Sequence, residues 1–270
     1  MALIPHFYME AVVSIGIRRD ENAINWIGTG FFVIKPISDN EGLPFMVTNR
    51  HVLQGEKSIV IRLKEKDTGN LRTIDMPLEN NGSPLYSTHD DEKIDIAVVP
   101  FNGSFLTENN LQFSAFNTKE HLLESSELKK QGVDEGSYVY MLGYPMGLVN
   151  IDSNTPICRG GCIARIDENE INSTKQFLLD IQNFPGNSGS PIITKPELNG
   201  IGEPGFNKSV LIGIVLGYKP YEEKLINAQT NKVVEIRSEN SGIAVVHPAE
   251  FILQVIEKEI NRRNSGIQQT

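Results

Sequence analysis

Phe184-Pro185-Gly186-Asn187-Ser188-Gly189-Ser190-Pro191 sets a serine between two glycines on a tight turn, just after an apolar run that ends at Ile181. Small neighbours let the hydroxyl and the adjoining backbone N–H groups face a substrate without Cβ obstruction, which makes Ser188 a candidate nucleophile. A serine hydroxyl is a weak nucleophile near neutral pH, so it needs an adjacent base and a third group to orient that base. Of the histidines at 6, 51, 89, 121 and 247, only His51 closes an apolar strand-like run, Phe45-Met46-Val47-Thr48-Asn49-Arg50-His51. The orienting acid should border a buried segment. Asp95 does so in Ile94-Asp95-Ile96-Ala97-Val98-Val99-Pro100, where a carboxylate interrupts a hydrophobic strand and therefore needs a partner. Asp180 is the rival acid, and its place shortly before Ser188 points instead to a hydrogen bond within the second half of the chain.

The order along the chain, His51 then Asp95 then Ser188, separates the possibilities. An α/β-hydrolase runs serine, acid, histidine, and a subtilisin-type enzyme runs acid, histidine, serine. Further motifs fall in sequence: Gly28-Thr29-Gly30-Phe31-Phe32-Val33, Val47-Thr48-Asn49-Arg50-His51-Val52, Asp95-Ile96-Ala97-Val98, Leu142-Gly143-Tyr144-Pro145 and Gly186-Asn187-Ser188-Gly189. Leu211-Ile212-Gly213-Ile214-Val215 and Gly242-Ile243-Ala244-Val245 complete the set. With them the chain resembles the trypsin/chymotrypsin-fold serine peptidases, in the branch of bacterial trypsin-like and HtrA protease domains. The resemblance runs over nearly the whole chain.

That resemblance implies an all-β protein of two six-stranded antiparallel β-barrels with a C-terminal α-helix. It also implies a trypsin-like serine endopeptidase that works through an acyl-enzyme. Ser188 would attack a peptide carbonyl, His51 would carry the proton, Asp95 would fix the imidazole, and the N–H groups of Gly186 and Ser188 would hold the oxyanion. Gln182 falls at the base of the substrate pocket, with Leu216-Gly217-Tyr218 and Ser241-Gly242 as walls. No carboxylate stands at that base, so a preference for Arg or Lys lacks its usual counter-charge. Gly217 and Gly242 leave space for an uncharged side chain of small to medium size, although Glu222, Glu223, Glu235 and Glu239 lie on the loop and strand nearby. Asn187 stands where trypsin-type zymogens carry an aspartate that pairs with a new amino terminus. An asparagine offers no such charge, so activity is expected without N-terminal processing.

Short β-like runs recur near 11–17, 27–34, 45–48, 58–63, 71–76 and 95–100, and again near 137–142, 160–166, 176–181, 191–194, 209–217, 231–236 and 243–247. The polar stretch between the two sets divides the chain into an N-terminal barrel over 1–115, a linker over 116–135 with a short helix near 119–125, and a C-terminal barrel over 136–270. Phe251, Ile252, Val255, Ile256 and Ile260 recur at helical spacing, which predicts a helix over 249–263 with Pro248 at its start and its stripe on the second barrel.

A net charge of −9 leaves no broad basic footprint for nucleic acid, and no apolar run reaches the length of a membrane span. The amino terminus lacks the basic and apolar regions of a secretory signal, so a cytoplasmic protein is expected. Two cysteines, Cys158 and Cys162, are too few for a bridged framework or a structural zinc site and read as reduced thiols. His89-Asp90-Asp91 reads as a polar loop rather than a metal cluster, and Trp26 as packing, so no metal and no cofactor is expected. The partner implied is a protein or peptide substrate, and an intracellular protease without a pro-segment leaves room for a regulatory protein. Two other functions stay open on the same scaffold: a catalytically silent binding module, and an esterase.

Overall fold

The computed structural model describes residues 4–20, 23–39, 41–150, 152–197 and 206–267. Its N-terminal half holds α1 (His6–Glu10), β1 (Val12–Arg18), β2 (Ile24–Pro36), β3 (Gly42–Thr48), α2 (Arg50–Leu53), β4 (Ser58–Lys64) and β5 (Leu71–Pro77). The short β6 (Glu79–Asn80), β7 (Ser83–Pro84) and β8 (Ser87–Thr88) follow, then β9 (Ala97–Pro100), α3 (Gly103–Glu108) and β10 (Phe116–Asn117). The C-terminal half holds α4 (Ser125–Leu128), β11 (Tyr138–Gly143), β12 (Ile157–Arg165), α5 (Glu168–Thr174), β13 (Phe177–Asp180) and β14 (Pro191–Thr194). It ends with β15 (Leu211–Asn227), β16 (Lys232–Pro248) and α6 (Glu250–Ile267). No described helix is long and apolar enough to cross a membrane.

Residue type decides which strands lie deep. Val12, Val13 and Ile15 of β1 and every residue of β14 are buried, the signature of a strand covered on both faces. In β5 burial alternates instead, with Ile74 and Met76 inward and Arg72, Thr73 and Asp75 outward, as an edge strand with one wet face requires. Asn81 and Gly82 both take positive φ, 49° and 78°, to turn β6 back into β7.

The C-terminal half closes as expected into a six-stranded barrel, β11-β12-β13-β16-β15-β14. The N-terminal half does not close among the described residues. Its eight strands run β5-β4-β1-β2-β3-β9-β8 with β10 added alongside β2, which leaves ends at β5 and β8. β8 and β9 are too short to carry a closing ladder, and α6 covers that end instead. Ser87 Oγ donates to Glu259 Oε2 at 2.6 Å, and Lys258 Nζ donates to Thr88 O at 2.8 Å.

The expected helix is therefore present but packs differently. Pro248 ends β16 opposite Gly213 rather than opening the helix, which begins at Glu250 and runs to Ile267. Its buried residues Phe251, Ile252, Val255 and Ile256 join Ile94, Ile96 and Val98 of the N-terminal half in one core cluster. That cluster also holds Phe31, Phe45, Phe116, Leu142, Tyr144 and Ile214, so the two halves meet over a shared apolar seam. Separate clusters fill each half, on either side of that seam. Within 116–135, the helix expected near 119–125 appears later, at Ser125–Leu128, while Leu122 bridges to Leu211.

Candidate active site

His51 sits on the single turn of α2, immediately after β3 ends at Thr48. Asp95 lies two residues before β9, the strand that pairs with β3, so sheet register brings both to the same rim. Several hydrogen bonds hold the acid there. Asn49 Nδ2 donates to Asp95 O at 2.8 Å, the His51 backbone N–H donates to Asp95 Oδ1 at 3.0 Å, and Asp95 Oδ2 meets His51 Nδ1 directly. Arg50 Nε adds positive charge 3.8 Å from Oδ1. The acid is 13% exposed and the imidazole 46%, so the pair shelters its carboxylate while leaving the ring half open to solvent. Asp180, the rival, is exposed on β13 opposite Cys162 and Ile243. Asp95 is the acid that meets His51.

Ser188 lies on the turn between β13 and β14, and the other half of the molecule clamps that turn. Thr29 of β2 donates its N–H to Ser188 O at 2.9 Å and its hydroxyl to Gly186 O at 2.7 Å. Gly189 is required: at φ +88° a Cβ would stand 2.0 Å from Thr29 O and 2.5 Å from Thr48 Oγ1. A Cβ on Gly186 would stand 2.4 Å from Tyr144 O at φ +96°. Pro185 O accepts from Met146 N at 2.5 Å, and because C=O and N–H point oppositely across a trans peptide, the Gly186 N–H is turned the other way. By the same geometry Asn187 O, which accepts from Ser190 N at 2.9 Å, turns the Ser188 N–H away from it. Neither the Gly186 nor the Ser188 N–H has a hydrogen-bond partner among the described residues.

A Cβ placed on Gly28 would lie 2.8 Å from Val52 Cγ1 and 3.4 Å from Ser188 O, so the residue after the histidine and the serine backbone meet across one glycine. Among the described residues no hydrogen bond links His51 to Ser188. Such bonds are often long before substrate binds and tighten in the reacting complex.

The pocket residues fall in two groups. A Cβ on Gly242, at φ +83°, would lie 3.3 Å from Gln182 Nε2, so these two adjoin. Leu216, Gly217 and Tyr218 follow one another along β15; Gly217 faces open space, and Tyr218 is exposed rather than a buried wall. Glu222, Glu223, Glu235 and Glu239 point into solvent on an extended ribbon, where Glu235 pairs with Arg237 Nε at 3.1 Å. Asn187 is 1% exposed, and among the described residues neither end of its amide has a partner.

His247 is the contributor that sequence reasoning passed over. It is fully buried, accepts from the Asp95 N–H through Nε2 at 3.1 Å, and donates from Nδ1 to Lys175 O at 2.7 Å. These partners fix a neutral tautomer, and burial pushes its pKa down. Contrary to the expectation that only His51 closes an apolar run, His247 closes Ile243-Ala244-Val245-Val246 and faces the same burial cost that singled out Asp95.

The remaining polar candidates have structural partners. His89 bonds Gln254 Oε1 at 2.8 Å and the Asp91 N–H at 2.9 Å, and no metal-ligating cluster occurs among the described residues. Trp26 lies under the Arg62 guanidinium at 4.8 Å. Cys158 and Cys162 are free and sit opposite Leu142 and Tyr138, about 13 Å apart at the usual strand rise, which is beyond disulfide reach.

No curated protein matches the chain. Among solved structures it is similar to the MamO protease domain from Magnetospirillum magneticum (apo form), with 16% identity over 92% of this chain and 97% of that one and a TM-score of 0.45. The family model of the trypsin-like peptidase domain matches residues 28–202, more than half of the chain. The chain belongs to the trypsin-like peptidase domain family.

Proposed function

We propose that the protein is a serine endopeptidase acting through an acyl-enzyme. The observation that carries this reading is the pairing of an oriented His51–Asp95 couple with a clamped serine turn whose Gly186 and Ser188 N–H groups have no partner among the described residues. In the reaction, Ser188 Oγ attacks the substrate carbonyl carbon while His51 Nε2 takes the hydroxyl proton. Asp95 keeps the proton on Nδ1 and stabilises the imidazolium. The oxygen of the tetrahedral intermediate receives hydrogen bonds from Gly186 and Ser188, each donor worth about 3–4 kcal/mol in sites of this type. Collapse expels the amine, which leaves with the proton from His51. Water, deprotonated by the same imidazole, then releases the acid and restores Ser188.

Asn187 supports activity without a new amino terminus, because its neutral, buried amide offers no charge for one to pair with. Gln182 in place of a carboxylate supports an uncharged residue at the cleavage position. A protein or peptide is the substrate that the family membership implies. An esterase would use the same steps, whereas a silent binding module is favoured only by the missing His51–Ser188 bond.

Incubation with unfolded casein separates these readings. The endopeptidase should generate internal fragments that disappear in Ser188→Ala. Hydrolysis of p-nitrophenyl butyrate with casein left intact would indicate the esterase, and inertness toward both the binding module.

A further inference from the structure

After Gly217, β15 and β16 leave the barrel as a two-stranded ribbon. Their pairing runs from Pro220↔Asn240 to Asn227↔Lys232, and every residue from 218 to 239 is exposed. Pairing with β14 stops at Ile214 and pairing with β13 stops at Ile243, so among the described residues both edges of the ribbon are open. A lone two-stranded ribbon is marginally stable in water, and apolar side chains on it have a reason to be there only if something covers them. Of the exposed large hydrophobic residues, Tyr218, Tyr221, Leu225, Ile226, Val233, Val234 and Ile236 all lie on this ribbon. Ile226 and Val233 are directly paired, and Ile236 sits opposite Lys224 on the same face, giving an apolar tip whose members are 54%, 50% and 56% exposed.

Two observations say what covers it. The ribbon grows out beside the serine turn: Gly189 N donates to Val215 O at 3.1 Å, Val215 N donates to Ser190 O at 2.9 Å, and the free edge of β15 starts at the next residue. A chain lying over Ser188 therefore meets a strand edge that leads directly to the tip. Its charges also cancel, with Lys219, Lys224, Lys232 and Arg237 against Glu222, Glu223, Glu235 and Glu239, in a protein of net charge −9. A partner held there is selected by apolar side chains rather than by charge. Pro220 lacks an N–H, so an added strand is interrupted at that point, and contact farther out is between side chains.

We propose that the ribbon is an accessory substrate-binding arm. It holds an apolar segment of an unfolded polypeptide about nine residues from the bond to be cut, a span of roughly 30 Å from Gly217 to Ile226 at the usual strand rise. The proposal rests on the endopeptidase reading and adds where the substrate is gripped and how long it must be.

The test is the triple variant Ile226→Ser, Val233→Ser, Ile236→Ser, whose side chains are already half in water and whose circular dichroism should match wild type. Reduced, carboxymethylated α-lactalbumin is the long substrate and p-nitrophenyl butyrate the short one. The arm predicts a fall in kcat/KM of about tenfold or more on lactalbumin, from the loss of three aliphatic contacts, with ester hydrolysis unchanged. Equal lactalbumin cleavage by both proteins overturns the arm and leaves the endopeptidase intact, and so does a parallel loss on both substrates. If wild type leaves lactalbumin intact, whether or not it hydrolyses the ester, the endopeptidase reading fails, and anisotropy of labelled lactalbumin with Ser188→Ala then judges the arm: loss of binding in the triple variant supports it, and equal binding overturns it. A wild-type dimer that the variant dissociates, with cleavage unaltered, also overturns it by making the ribbon a contact between copies.

Discussion

Replacing His247 with leucine asks whether this buried imidazole holds the acid of the site in place. The substitution removes the acceptor of the Asp95 N–H and the donor to Lys175 O in one step, at a position with no solvent access. Each abandoned group costs about 1–3 kcal/mol, so His247→Leu should lose about 2–6 kcal/mol of stability. At about 2–4 °C per kcal/mol for a chain of this size class, Tm should fall by roughly 4–24 °C. His247→Gln introduces an amide whose carbonyl oxygen can face the Asp95 N–H, and should recover part of the loss. The pH dependence is the sharper readout, because burial lowers the pKa of native His247 while an unfolded histidine binds its proton near about pH 6.5. As pH falls through that value the unfolded state takes up a proton that the native state refuses, so wild-type stability declines. The decline should be smaller in both variants, with a remainder from His121, whose pKa burial also lowers. Urea unfolding at pH 7.5 and 5.5 measures it. Identical pH slopes in wild type and His247→Gln, or an unchanged Tm in His247→Leu, would refute the reasoning.

The serine turn yields two more expectations. Asn187→Asp puts a carboxyl into a fully buried site with no cation beside it, so the group should stay protonated in the native state and stability should fall as pH rises from 5 to 8; urea midpoints that do not move with pH relative to wild type would contradict this. Gly189→Ala drives a methyl against the Thr29 carbonyl at a positive φ, and should cost more than about 2 kcal/mol and abolish protein hydrolysis, as read by calorimetry and casein cleavage.

Much of the site was legible because its polar groups interrupt apolar strands. Asp95 stands out because a carboxylate interrupting an apolar strand needs a partner, His51 because it closes an apolar run, and Ser188 because glycines flank it on a tight turn. His247, which closes the apolar run 243–246, meets the same test and finds its partners in Asp95 and Lys175. The ribbon was hidden for a different reason. Residues 218–230 mix Lys, Glu, Asn and Gln with single apolar residues and read as a loop, and the runs at 231–236 and 243–247 read as two strands, whereas β16 is one strand from Lys232 to Pro248. Pairing with β15 builds that ladder, and the Asn227 side chain closes the turn by accepting from the N–H groups of Gln229 and Thr230 at 2.9 and 3.0 Å. The open N-terminal sheet was equally out of reach, since closure depends on distant strand pairing that local pattern does not encode. The placement of α6 depended on Glu259, a buried carboxylate whose burial works to raise its pKa while Arg262, Ser87 and Arg263 bring it down overall. Sequence spacing alone cannot say which half of the protein supplies Ser87.

The central claim is that His51, Asp95 and Ser188 act as one nucleophilic group. The most direct measurement is the rate of phosphonylation by a fluorophosphonate, followed by intact mass and peptide mapping, for wild type, Ser188→Ala, His51→Ala and Asp95→Asn. The account predicts one adduct on Ser188, none in Ser188→Ala, and rates lower by about a hundredfold or more in the other two, the range expected when a general base or its orienting partner is removed. Labelling of His51→Ala at the wild-type rate, or no adduct on wild-type Ser188, would contradict it.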